Sequence, residues 1–388
     1  MILLLNITMI IGIFYSIALL IFLFGQYHRK KGDNKILYRV SVIIAARNEE
    51  KNIQHVLLDL TNQSYPKDLY EVIVADDNST DNTAAVVSKF CETEKNVKLL
   101  SITTTPPGTS PKKIALSRAV DISNGEIILT TDADCRLGSH WIETMVTYFT
   151  ENTGFVIGFS QLGSPIKRQN LLEKLQAFDF LQLMGACAGS CNLGLPLAAT
   201  GQNLGYRRVA FERVGGYNSI ISRISGDDVL LLQRIRRLTD YDIAFASHPR
   251  SYATSKAEPD LRSLLNQRRR WASNASYQVH QNIPFFSYLL LVFAYNLMIL
   301  IDIPGVIFFP AFASTLVLCI VSKAASELMI AIAAFNYFKR SDLLKYFPLW
   351  FVLQIPYVVF VGLMGSFGKF TWKDRNHSAV SKDKNKTF

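Results

Sequence analysis

Read from its amino end, the chain opens on an apolar run, Ile2 to Phe24, that carries no charged side chain. As a helix rising about 1.5 Å per residue it would be about 35 Å long, enough to cross a hydrocarbon core of about 30 Å. No basic start precedes it and no small-residue cleavage site follows, so it reads as a retained anchor and not as a signal peptide. Arg29, Lys30 and Lys31 come next, and the positive-inside rule puts them in the cytoplasm. A second apolar stretch, Ile283 to Ser322, is interrupted only by Asp302 and has the length of two spans with a turn near Ile303-Pro304-Gly305. Met329 to Phe338 is short and follows Lys323 and Glu327, so it reads as a buried or partly interfacial helix. Tyr346 to Phe367 is a further span with Pro356 as a kink point. Three or four C-terminal spans are expected.

Between the apolar ends the pattern changes. Val40 to Ala46 is a β-branched run of the kind that forms a strand buried on both faces, and a helical pattern follows through Leu60. Strand patterns return at Tyr70 to Ala75, Val97 to Ile102 and Glu126 to Thr131, with helical patterns at about Asp81 to Glu92 and Lys113 to Ser123. The alternation predicts an α/β domain with a mostly parallel sheet, helices on both faces, and ligands beyond the carboxyl ends of the strands. The loop after the first strand, Arg47-Asn48-Glu49-Glu50, has neither G-x-G-x-x-G nor G-x-x-x-x-G-K, which argues against a dinucleotide fingerprint and a P-loop. The organisation predicted is an anchor over 1–28, an α/β domain over 38–275, a membrane region over 283–368 and a basic tail over 369–388.

Charge sharpens this picture. The formal net charge is +10, yet only 19% of residues are charged, and residues 369–388 alone hold six Lys and Arg against two Asp. A surplus placed there suits a membrane surface and not a nucleic acid. Five cysteines at 91, 135, 187, 191 and 319 fit no disulfide framework, and Cys187 and Cys191 read as packing thiols. Asp302, Lys323 and Glu327 are too sparse to argue for an ion path, which weighs against a transporter.

Candidate chemistry sits at the predicted strand ends. One strand runs into Asp76-Asp77-Asn78-Ser79-Thr80-Asp81 and another into Asp132-Ala133-Asp134. In an extended segment Asp132 and Asp134 share a face and offer two hard oxygen ligands, the set with which Mg²⁺ or Mn²⁺ commonly binds alongside phosphate oxygens. Turn and cap chemistry is the simpler reading of either loop alone. Gly226-Asp227-Asp228 precedes a helical pattern, where a carboxylate can serve as a general base or as a helix cap. Gln267-Arg268-Arg269-Arg270-Trp271 pairs cations that clamp phosphate with a ring that stacks on a sugar or base, and the same residues suit lipid headgroups.

In order along the chain, these motifs resemble those of the family-2 glycosyltransferases with the GT-A fold, in the membrane-embedded branch of cellulose, hyaluronan and poly-N-acetylglucosamine synthases and ceramide glucosyltransferases. The resemblance spans about residues 38 to 275. It implies that Ser41 to Glu50, with Ala46, Arg47 and Glu49, form the first strand and nucleotide-binding loop, and that Asp76 and Asp77 contact the nucleoside. It assigns Asp134 and Asp132 to the metal on the diphosphate, with Asp132 also on the donor, Asp228 to the base with Asp227 beside it, and Thr200-Gly201-Gln202-Asn203 followed by Arg207-Arg208 to the acceptor-side loop. Lys112 with Ala115-Leu116-Ser117 is similar to a G-K-x-x-A-L-N stretch, but Pro111 and Ser117 depart from it. Gln267 to Trp271 fit Q-(Q/R)-x-R-W, with Arg270 on the phosphates and Trp271 as the acceptor platform. The implied activity is inverting, metal-dependent sugar transfer at a membrane, with a UDP-sugar as the expected donor and a carbohydrate or lipid hydroxyl as acceptor. Polysaccharide synthesis is slightly favoured over single transfer to a lipid. The expected setting is a bacterial inner membrane with the domain cytoplasmic, and a partner subunit or second copy could complete a membrane path.

Overall fold

The computed structural model describes residues 1–163, 169–275, 277–367, 369–372 and 375–378. The α/β domain unfolds along the chain as β1 (Val40–Ala46), α-helix Ile53–Thr61, β2 (Tyr70–Asp76), helix Thr83–Thr93, β3 (Val97–Ser101), helix Pro111–Asp121 and β4 (Ile127–Thr130). Side chains alternate across these strands as a two-faced burial demands. Ile43, Ile73 and Ile128 enter one core, and Val42, Ile44, Val72, Val74, Ile127 and Leu129 the other.

Three further strands complete the main sheet: β5 (Thr153–Gly158), β6 (Leu204–Arg207) and β7 (Asp242–Ala246). The order across the sheet is β3-β2-β1-β4-β6-β5-β7, and only β6 runs antiparallel to its neighbours. An antiparallel strand begins at the edge where its parallel neighbours end. The Thr200–Asn203 loop, which leads into β6, is therefore carried to the edge where β1, β2 and β4 terminate, and Leu204 pairs with Thr130 there.

Among the described residues, four helices are long and apolar enough to cross a membrane. They are α1 (Ile2–Tyr27), α2 (Ile283–Phe308), α3 (Ala313–Tyr337) and α4 (Phe347–Phe367). The turn expected at Ile303 to Gly305 is not made: α2 runs through Pro304 and breaks at Phe309, before the short turn Pro310–Phe312. Proline is tolerated inside apolar spans, where neighbouring helices and local adjustments satisfy the freed backbone groups. Met329 to Phe338 is likewise no separate short helix but the end of α3. Lys323 and Glu327 fit inside α3 because they neutralise each other, Nζ to Oε1 at 2.5 Å, while Tyr15 Oη (2.6 Å) and Gln354 Nε2 (3.0 Å) donate to the same carboxylate. The C-terminal helices with the length and apolarity of a span thus number three among the described residues.

A long helix, α5 (Leu171–Asn192), lies between the sheet and the spans, packed on both α1 and α3. Its crossing with α1 is backbone on backbone: a Cβ on Gly25 would stand 2.0 Å from Gly189 O, and one on Gly189 2.1 Å from Phe22 O. Asn192 Nδ2 donates to Gly25 O at 3.0 Å across the same crossing. Cys187 and Cys191, both on α5, are buried free thiols that donate to Ala198 O and Ile243 O, as packing residues should. Beyond α4 a hairpin pairs Lys369–Trp372 with Arg375–Ser378. Residues 379–388 of the expected basic tail lie outside the described residues.

Candidate active site

The strands β1 and β2 end in register, Ala46 opposite Asp76, so their loops form one wall. Asp77 N donates to Ala46 O (2.8 Å), and Arg47 Nη1 donates to Asp77 O (2.6 Å) and Asn78 O (2.8 Å). Asn48 and Asn78 both take left-handed backbone, φ 53° and 52°, which Asn tolerates better than most residues. Asn48 Oδ1 accepts from Thr80 N (2.9 Å), while Asp76 accepts from both the amide and the hydroxyl of Ser79. Glu49 Oε2 accepts from Asn52 Nδ2 at 2.7 Å. Asp76 and Asp77 are both buried. Much of the polar sequence in these loops therefore goes into holding the two loops together.

A second group converges beside the end of β4. Lys112 Nζ lies 2.9 Å from Asp132 Oδ1 and 2.9 Å from Asp227 Oδ2. Gly201 N donates to Asp228 Oδ2 (2.9 Å), and Val229 N donates to Asp228 Oδ1 (2.6 Å), so this carboxylate caps the helix Val229–Leu238 and still faces the Gly201 loop. A Cβ on Gly201 would come within 3.2 Å of Asp227 Oδ2 and 3.3 Å of Lys112 Nζ, so a side chain there would press on the ends of both groups.

The charges set the protonation states. Burial disfavours the Lys112 ammonium, but Asp132 and Asp227 outweigh it and hold the lysine protonated well above its usual range. Burial likewise opposes ionisation of Asp227, yet Lys112 and Lys113 keep its carboxyl below the ordinary range. Asp228 goes the other way: burial, then the charge of Asp227 beside it, push its carboxyl up to about 6. Two adjacent carboxylates driven apart in this way are divided between a permanent anion and a group able to gain and lose a proton near neutrality.

Asp132 and Asp134 do not lie in an extended segment. The chain turns after Thr130, with Cys135 N donating to Asp132 O (3.1 Å), and the alternating-face argument gives way to a turn. Asp132 faces Lys112, while Asp134 Oδ2 accepts from Ser255 Oγ at 3.4 Å, and Gln202 Nε2 donates to that same hydroxyl at 3.0 Å. Two carboxylates on one turn, next to a loop with no side chain at Gly201, form a donor set that fits a hard divalent cation completed by phosphate oxygens. Among the described residues no cluster of three or more His, Cys, Asp or Glu is placed to hold a metal alone.

The basic motif divides between two tasks. It lies on the helix Leu261–Ala272, capped by Asp260, which accepts from Ser263 N (2.8 Å). Arg270 Nη1 reaches Ser225 Oγ (3.5 Å), two residues before Asp227. Gln267 Nε2 donates to Glu258 Oε1 (2.7 Å). Arg268 pairs with Asp179 of α5 at 3.1 Å and sits 4.2 Å over the Trp271 ring, whose centre is 5.9 Å from that of Phe180. Trp271 is thus partly buried at the junction with α5, with Arg268 over one face. Arg207 and Arg208 stand at the far end of β6, donating to backbone carbonyls of Thr153 and Gly125, away from the Gly201 loop.

Two residues of this region carry no recognisable signal in the sequence. Lys113 is fully buried and donates to Arg223 O and to Ser225 O (2.9 Å), while Ser110 N donates to Ile221 O (2.7 Å). Together they stitch the start of the helix Pro111–Asp121 to the loop that presents Asp227 and Asp228. Ser255 is the other, and it reaches Asp134 from 121 residues away in sequence.

A mostly parallel sheet with acidic loops at its carboxyl edge and an antiparallel strand delivering a further loop to that edge is the GT-A-like arrangement of nucleotide-sugar enzymes. Residues 41–215 match the model of glycosyl transferase family 2. The chain is 31% identical over 254 residues to "Probable glycosyltransferase YdaM" of Bacillus subtilis (strain 168), covering 63% of this chain and 57% of that protein. It is 29% identical over 276 residues to a beta-monoglucosyldiacylglycerol synthase of Nostoc sp. (strain PCC 7120), covering 69% of this chain and 55% of the relative. The chain therefore spans a little over half the length of these relatives. Among solved structures, the mannosyltransferase PcManGT from Pyrobaculum calidifontis, determined with GDP-Man and Mn²⁺, shares the fold with a TM-score of 0.62 at 19% identity, over 93% of this chain and 98% of that one.

Proposed function

We propose that this protein transfers a single sugar, with inversion, from a nucleotide sugar to a hydroxyl of a membrane lipid, with its α/β domain on the cytoplasmic side. Asp228 takes the proton from the attacking hydroxyl, a role that suits a carboxyl near neutrality, and the Gly201 amide fixes its orientation. Asp227 stays ionised and anchors Lys112, which places a cation beside Asp132. The Arg47 wall at the ends of β1 and β2 receives the nucleoside of a donor whose first candidate is a UDP-sugar, and Arg270 stands near enough to Ser225 to meet the diphosphate. A divalent cation, Mg²⁺ or Mn²⁺, would be held by Asp132 and Asp134 and would offset the diphosphate charge as it leaves.

The observation that carries the lipid acceptor is the filling of the bundle. Glu327 accepts from Lys323, Tyr15 and Gln354, so side chains of three spans close on one carboxylate at the centre. Such packing favours an acceptor presented from the bilayer over a polymer threaded between the helices. The name of the diacylglycerol-glycolipid relative from Nostoc points the same way. The Q-(Q/R)-x-R-W resemblance keeps chain synthesis as the second reading. Membranes supplied with a panel of labelled nucleotide sugars should give a lipid-extractable product bearing one sugar, constant in size at long times. A ladder or a high-mass product would replace the lipid reading with polymer synthesis.

A further inference from the structure

The last turn of α1 holds an unsatisfied group. Gln26 is 2% exposed, and neither atom of its side-chain amide has a hydrogen-bond partner. A buried amide left unpaired is unfavourable, so its position needs an explanation. It borders a cavity of ≈ 390 Å³ between the ends of α1 and α3, on the side of the spans that meets the α/β domain. At the rim, the Arg29 guanidinium lies 3.8 Å over the Tyr337 ring. Stacking of this kind uses the face of the guanidinium and leaves its N–H edge for oxygen acceptors. Among the described residues no carboxylate pairs with Arg29, and Asn336 adds a second amide at the rim.

The other half of the cavity is hydrocarbon. Leu23, Met329 and Ile332 line it, and Met329 and Ile332 are 44% and 43% exposed on helices long enough to span a membrane. Donors and a cation at one end with apolar walls at the other describe an anion joined to an acyl chain. Lys30 and Lys31 follow directly and add to the attraction for an anionic leaflet. Gln26 offers both a donor and an acceptor, which suits a headgroup that carries hydroxyls as well as phosphate.

We propose that this cavity binds an anionic, hydroxyl-bearing glycerophospholipid of the phosphatidylglycerol class. Arg29 holds the phosphate, the Gln26 amide meets the headgroup hydroxyls, and an acyl chain lies along Leu23, Met329 and Ile332. The lipid would bridge α1 and α3 beside their contact with the domain, at a place separate from the Lys112 and Asp228 cluster.

The test uses the full-length protein in mild detergent, without nucleotide sugar, so that binding is read independently of transfer. Native mass spectrometry would follow titration with phosphatidylglycerol, with phosphatidylcholine of matched chains, and with inorganic phosphate. Phosphatidylglycerol should bind in preference to the other two, and Arg29→Gln should weaken it by about tenfold, as expected for loss of a charge-assisted contact. Gln26→Leu should weaken it as well, with thermal unfolding in lipid-free detergent no lower than that of the unmodified protein. Arg29 is exposed, so its replacement reads binding even if Gln26→Leu folds poorly. Unchanged affinity in Arg29→Gln, equal binding of phosphatidylcholine, or equal competition by inorganic phosphate would overturn the proposal.

Discussion

Asp228 shows how one residue serves two demands. As a helix cap it needs only to be ionised, but burial beside Asp227 raises its carboxyl to about 6 and makes proton exchange accessible. Because the base must be deprotonated to act, turnover should hold above that value and fall as pH drops through it, to about one-tenth one unit below. Asp228→Asn should lower turnover by a factor on the order of a hundred or more and remove that acidic limb, while calorimetry still detects nucleotide-sugar binding. Equal loss of donor binding and turnover would make the residue structural. Asp227, Asp228, Lys112 and Gly201 were legible because their motifs are local in sequence. Lys113 and Ser255 were not, since each acts through contacts 112 and 121 residues away that no local pattern encodes.

At the level of elements, the strands were legible because continuous β-branched runs have few other uses, and the observed β1 and β2 differ from the expectation by at most one residue. What escaped was α5. It is sandwiched between the sheet and two spans, so its apolar residues do not keep to one side and the helical period that marks a surface helix is blurred. The turn near Pro304 was misplaced for a related reason: proline is a strong stop signal in water and a weak one inside a bundle. The contact of α5 with α1 is a demanding feature. Gly25→Val would drive a side chain into the Gly189 carbonyl, and overpacking of this kind costs about 1–3 kcal/mol. The expected result is a clearly lower Tm in detergent, whereas Gly138→Ala, with nothing closer than 4.0 Å to its new Cβ, should melt near the unmodified protein. Equal melting of both would show that the crossing at Gly25 and Gly189 tolerates a side chain.

At the scale of the whole molecule, the domain and the spans are joined through charged and polar side chains as well as apolar ones. Gln182 of α5 donates to Glu327 O (3.2 Å), and Trp350 Nε1 of α4 donates to Asp179 Oδ1 (3.3 Å), the carboxylate that also pairs with Arg268. The ion pair of Lys323 and Glu327 thus lies within the framework that fixes the domain on the bundle. Removing one member of a buried pair leaves the other charge uncompensated and costs about 3–5 kcal/mol, whereas replacing both can be nearly neutral. Lys323→Met alone should therefore lower the Tm sharply, and Lys323→Met with Glu327→Gln should recover most of it, because glutamine still accepts from Tyr15 and Gln354. The double variant also separates the two readings of the acceptor. If the cluster only holds the spans together, it should make the same single-sugar lipid product at a rate close to that of the unmodified protein. If the cluster instead lined a path for a growing chain, the stable double variant would still perform the first transfer but yield shortened products, and the lipid reading would fall.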